Sequence, residues 1–153
     1  MNAQVIQLAP IRIAMLRHTG SYDEIGPVFD RLWKWVEAQN VPVQRTIGIY
    51  WDDPDEVPAP QLRSAACVEI PEGYQVGGWG APEVGQIAGG TYVTARFVGP
   101  YDDLAPVWND LWSYCENDLR RTISEEPAFE VYVNDPSDTP PERLITDLYM
   151  PVI

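Results

Sequence analysis

The chain has 153 residues, 45% of them hydrophobic, and a formal net charge of −13. That length supports a single domain with a sizeable core, and that charge repels phosphate backbones, which argues against direct nucleic-acid binding. No apolar run approaches the ~18–20 residues of a membrane span. Residues 1–16 lack the basic start of a signal peptide, and Cys67 and Cys115 have no C-x-x-C spacing, so a reduced, cytoplasmic location is expected.

Taken in chain order, residues 11–19 are β-compatible and end on a Gly-Ser turn signal. Residues 23–39 then carry Ile25, Val28, Phe29, Leu32, Trp33 and Val36 at the i, i+3, i+4, i+7 spacing of a helix packed on one side. Pro27 falls near the helix start, where a missing N–H is tolerated, behind the acidic pair Asp23-Glu24. Residues 46–51 and 62–70 are short strands separated by an Asp-Pro-rich turn. Residues 72–88 are Gly-rich, include Trp79, and are expected to be a linker, with a covering role for Trp79 as a lesser alternative.

The remainder repeats what came before. Gly99-Pro100-Tyr101-Asp102-Asp103 through Pro106, Val107, Trp108, Leu111 and Trp112 answers Gly20-Ser21-Tyr22-Asp23-Glu24 through Pro27, Val28, Phe29, Leu32 and Trp33. Tyr132-Val133-Asn134-Asp135-Pro136 likewise answers Tyr50-Trp51-Asp52-Asp53-Pro54. Such self-similarity at one long period means two copies of a strand–helix–strand–strand unit. The expected fold is α+β: a curved, mainly antiparallel sheet with the helices on one face and a central ligand groove, in one domain over residues 1–153. Its units span about residues 5–71 and 89–153, around the linker.

Strand alternation separates the two faces of such a sheet. Ile47, Ile49, Phe129 and Val131 are expected beneath the helices, together with Ala66, Val68, Leu148 and Met150. Tyr50, Tyr92, Tyr132, Tyr149, Glu130 and Asp147 are then expected on the face turned away. Aromatic rings with carboxylates suit a flat, hydrophobic cation, each ring contributing about 0.5–2 kcal/mol. Trp33 and Trp112 lie on the helical stripe and are expected in the core. His18 answers Phe97, so it is a structural position and a poor triad member. The acidic connection after Tyr50 lacks the ligand spacing of a calcium loop, so no metal site is expected; no cofactor motif is present either.

The segments Leu16-Arg17-His18-Thr19-Gly20-Ser21-Tyr22, Tyr50-Trp51-Asp52-Asp53-Pro54, Phe129-Glu130-Val131-Tyr132-Val133-Asn134-Asp135-Pro136 and Thr146-Asp147-Leu148-Tyr149-Met150-Pro151 resemble the GyrI-like family. This family includes gyrase-inhibitory-like domains and the effector-binding modules of multidrug regulators. The resemblance covers essentially the whole chain and implies a groove for small, lipophilic or cationic compounds. It implies that Glu130 is the buried acid of that groove, while Asp147 stands where the family usually has a longer glutamate. It also implies two alternatives: a hydrolase of cyclopropane-bearing electrophiles with Glu130 as catalytic residue, and a protein that binds and inhibits DNA gyrase.

Overall fold

The computed structural model of the protein describes all residues, 1–153. Its strands and helices fall into two compact units, Pro10–Ala88 and Met1–Ala9 with Gly89–Ile153.

In the unit Pro10–Ala88, β2 (Ile11–Thr19), β3 (Thr46–Tyr50), β4 (Arg63–Glu69) and β5 (Glu83–Ile87) are ordered β3-β4-β2-β5, all antiparallel. Helix α1 (Gly26–Gln39) packs Val28, Leu32, Trp35 and Val36 onto Ala14, Ala66 and Val68 of this sheet. In the other unit, β1 (Ala3–Leu8), β6 (Gly90–Val98), β7 (Ala128–Tyr132) and β8 (Ile145–Pro151) are ordered β1-β6-β8-β7, again antiparallel. Helix α2 (Leu104–Ser113) sets Leu104 and Leu111 against Val93, Ala95, Leu148 and Met150. The α+β class and the antiparallel pairing are as the repeat implied.

The unit limits differ from the sequence expectation. Each unit takes its outermost strand from the segment that precedes the other unit's opening strand: β1 precedes β2 but pairs with β6, and β5 precedes β6 but pairs with β2. Residues 72–88, expected as a linker, therefore contain a strand. The alternation in Glu83-Val84-Gly85-Gln86-Ile87 is too short and too polar to announce it, since this strand buries only Ile87.

The repeated residues hold repeated geometry. Gly20 (φ +135°) and Gly99 (φ +153°) each turn the chain out of an opening strand through a conformation that side chains disfavour. Each then donates its N–H to a matched carbonyl, of Leu62 and of Leu144, at 2.8 Å. Asp52 and Asn134 play one role in the two Asp-Pro connections: the side-chain oxygen of each accepts the N–H of the first residue of the next strand, at 2.9 Å. The carboxylates of Asp53 and Asp135 cap their own turns by accepting the N–H two residues on.

Replacing Gly99 by alanine should lower stability by about 1–3 kcal/mol, from backbone strain and a Phe97 ring 2.7 Å from the new Cβ. Gly26→Ala, at a helix start with nothing within 4 Å of the added atom, should be neutral or stabilising. Urea unfolding of the two variants checks the contrast.

Candidate functional site

The register of β7 decides which way its side chains point. Glu130 is opposite Leu148, and Tyr132 is opposite Thr146, whereas Phe129 and Val131 are opposite Tyr149 and Asp147. Leu148 lies beneath α2, and directly paired residues share a face. Glu130 and Tyr132 therefore face α2, and Phe129 and Val131 face away, the reverse of the expected parity. In β3, Gly48 opposite Ala66 and Tyr50 opposite Ser64 likewise face α1, while Ile47 and Ile49 do not. The expectation placed the apolar residues of both strands under the helices. Here both faces of these strands are buried, so apolar character no longer identifies the helix side.

This reversal brings Glu130 to the helix. Its side chain lies within a residue only 5% exposed. The Trp108 indole on α2 donates Nε1–H to Oε2 at 2.7 Å, and the Tyr132 hydroxyl donates to Oε1 at 2.7 Å. Both carboxylate oxygens thus accept from neutral donors that are themselves flat and apolar, which offsets part of the cost of burying the charge. Tyr101, in the short turn ahead of α2, presents its ring edge-on to Tyr132 with centroids 5.4 Å apart. Burial first, then the negative charges of Asp135 and Glu130, push the Tyr101 hydroxyl up from its ordinary 10.0 to about 12.

The remaining expected site residues are elsewhere. Tyr92 and Tyr149 lie on the opposite face of the sheet with Phe129, which stacks on Tyr149 at 4.6 Å and meets Tyr92 edge-on at 5.5 Å. Tyr92 is almost fully buried. Asp147 shares that face and is held by Arg96 through two bonds, Nε to Oδ1 at 2.8 Å and Nη2 to Oδ2 at 3.1 Å. A carboxylate already neutralised by a forked guanidinium is a weak countercharge for a ligand. Tyr50 belongs to the other unit, where its ring meets Tyr22 edge-on at 4.8 Å. In that unit Gly48, Phe29, Tyr50 and Tyr22 occupy the positions of Glu130, Trp108, Tyr132 and Tyr101, so the duplicated frame carries the acid only once.

Two other expectations change. Trp33 and Trp112 are 37% and 42% exposed, whereas Trp35 is buried and donates to the Gly77 carbonyl at 2.9 Å. The buried stripe of α1 runs through Val28, Leu32, Trp35 and Val36, which leaves Trp33 on its edge. Trp79 is 96% exposed. His18 places Nε2 against the Ser21 carbonyl at 3.1 Å, a local turn contact. Both cysteines are buried and free, and burial raises both thiols, that of Cys115 to about 11.

The sequence expectation named Glu130 and Tyr132 but neither Trp108, which donates to Glu130, nor Tyr101, which packs on Tyr132. The available signal was the repeat, in which Tyr101 answers Tyr22 and Trp108 answers Phe29 on the apolar stripe of the helix.

A model of the "GyrI-like small molecule binding domain" matches residues 1–153. The chain belongs to that family. Among curated relatives, DNA gyrase inhibitors from Escherichia coli strain K12 and Citrobacter rodentium are 31% and 29% identical, each aligned over 88% of this chain and 87% of the relative. Among solved structures, the EcmrR C-terminal domain matches with a TM-score of 0.79 at 17% identity, covering 99% of this chain and 97% of that one. SAV2435 bound to tetraphenylphosphonium matches with a TM-score of 0.68 at 17% identity over 100% and 94%. A hydrolase from Listeria innocua matches with a TM-score of 0.70 at 12% identity over 99% and 91%. At such identities these three likenesses concern the fold. No helix of this GyrI-like chain is long and apolar enough to cross a membrane.

Trp108→Phe keeps an aromatic ring, though a smaller one, and deletes the donor, so it should cost about 1.5–3 kcal/mol in urea unfolding, and less once Glu130→Gln has removed the charge. A phenol whose folded pKa lies above its unfolded value stabilises the fold below the unfolded pKa. That stability is lost as pH rises through the folded one. Stability should therefore fall between pH 10.0 and about 12, and Tyr101→Phe should make that fall shallower in pH-dependent unfolding.

Proposed function

We propose that this protein binds a small, flat or globular hydrophobic cation, with Glu130 as the countercharge and Trp108, Tyr132 and Tyr101 as the aromatic wall. The observation that carries this reading is the buried Glu130 carboxylate held by two aromatic donors. Desolvated aromatic faces attract organic cations by up to about 2 kcal/mol each. An indole or phenol that donates to a carboxylate also gains electron density on its ring face. Family membership supports small-molecule binding, and SAV2435, a structural neighbour, is described bound to tetraphenylphosphonium, a cation of this chemistry. Calorimetric titration with tetraphenylphosphonium should give saturable binding that weakens at least about tenfold in Glu130→Gln. No heat, or equal affinity in the variant, contradicts the reading.

A second reading is hydrolysis of a strained electrophile. The Tyr132 hydroxyl donating to Glu130 at 2.7 Å is a carboxylate–phenol pair suited to moving a proton between water and a leaving group, and a structural neighbour is described as a hydrolase. Under this reading, mass spectrometry of a cyclopropane-bearing alkylating compound incubated with the protein shows the water adduct forming faster than with Glu130→Gln. Equal rates remove it. The name of the curated relatives and the charge of −13 support a third reading, inhibition of DNA gyrase. Unimpaired supercoiling with excess protein would end it.

A further inference from the structure

Trp112 is a large apolar side chain left 42% exposed by a helix whose core contacts do not need it. Its counterpart Trp33 is 37% exposed at the matching position of α1. The two helices differ at most surface positions, yet both keep an exposed tryptophan and a glutamate four residues later, Trp33 with Glu37 and Trp112 with Glu116. The i, i+4 spacing lets the two side chains of each pair meet on the helix surface. In the unit that carries Glu130, the Trp112 indole Nε1 donates to Glu116 Oε1 at 2.6 Å. There the helix also widens from α to π over Tyr114–Asp118, closing on a bond from Leu119 N–H to the Tyr114 carbonyl at 3.0 Å. Such local widening is frequent at functional sites. The α1 helix instead stays α-helical to Gln39, and no Trp33–Glu37 bond forms.

Trp108 and Trp112 are four residues apart and so adjacent along one face of α2, about 6 Å apart along the axis. Each donates its indole N–H to a glutamate, Trp108 to the buried Glu130 and Trp112 to the exposed Glu116. The same recognition unit, an indole face beside the carboxylate it donates to, therefore occurs twice along this face, once inside and once at the surface.

We infer that Trp112 and Glu116 form a second, outer cation-binding station, and that the ligands this protein holds best carry two cationic centres joined by a short apolar spacer. This rests on the cation reading of Glu130 and specifies its ligand class. The inner centre meets Glu130 and Trp108; the outer one lies on the Trp112 face with Glu116 as its countercharge. An exposed aromatic face together with an exposed carboxylate supports a preference of about five- to twentyfold for the dication over a comparable monocation.

The test compares butane-1,4-diylbis(triphenylphosphonium) with tetraphenylphosphonium by calorimetry on the whole chain. The ratio of their dissociation constants should favour the dication about five- to twentyfold in the native protein, collapse to within about twofold in Glu116→Gln, and persist in Glu37→Gln. A native ratio near unity overturns the inference. So does a ratio that survives Glu116→Gln, or one lost equally in Glu37→Gln, since general acidity would then explain it. The Glu130→Gln protein separates this inference from the reading beneath it. There, titration with benzyltrimethylammonium should shift the Trp112 indole N–H resonance, assigned by its loss in Trp112→Phe, more than that of Trp33. Equal or absent shifts count against the outer station whatever happens at Glu130.

Discussion

A carboxylate taken out of water is the constraint on which the candidate site is built. Glu130 is nearly sealed, and one indole and one phenol each donate a hydrogen bond to it. Each supplies a neutral hydrogen bond, whereas Asp147 is held by the forked guanidinium of Arg96. The same rings that satisfy its oxygens present apolar faces. Charge and hydrophobicity, which ordinarily exclude one another in an interior, are thereby combined in one place.

The scaffold explains how this arrangement is positioned. Gly99 and its bond to the Leu144 carbonyl set the turn that carries Tyr101 into α2, and α2 packs through Leu104 and Leu111 on β6 and β8. Trp108, on the same helix, then reaches β7 where Glu130 arrives. The other unit reproduces the frame, with Gly20, Leu62 and Asp52 in the equivalent bonds. It sets Gly48 and Phe29 where the acid and its indole donor stand. Duplication therefore preserved the geometry of the turns and left the chemistry to one copy.

Most of the fold was legible in the amino-acid sequence because its information is local. Turn glycines, Asp-Pro connections and the helical stripe each follow from short-range rules, and their recurrence fixed the repeated unit. The pairing of the two outer strands was not legible. β1 precedes β2 yet pairs with β6, β5 precedes β6 yet pairs with β2, and nothing in a five- or six-residue segment names its partner. The burial of Glu130 was legible through the family resemblance, but its face was not, because Phe129, Glu130 and Val131 are all buried and alternation loses its meaning when both sides of a strand are covered. Trp33 and Trp112 were misplaced for a related reason: a stripe of aromatic and aliphatic residues marks a helix but not its width, and both tryptophans stand at its margin.

The most direct measurement is a crystal structure of the protein soaked with tetraphenylphosphonium. The phosphonium centre should lie beside the Glu130 carboxylate, with phenyl groups against the Trp108 and Tyr132 rings. A phosphonium bound elsewhere, with Trp108 and Tyr132 still closed on Glu130, would contradict a ligand-binding role for this acid.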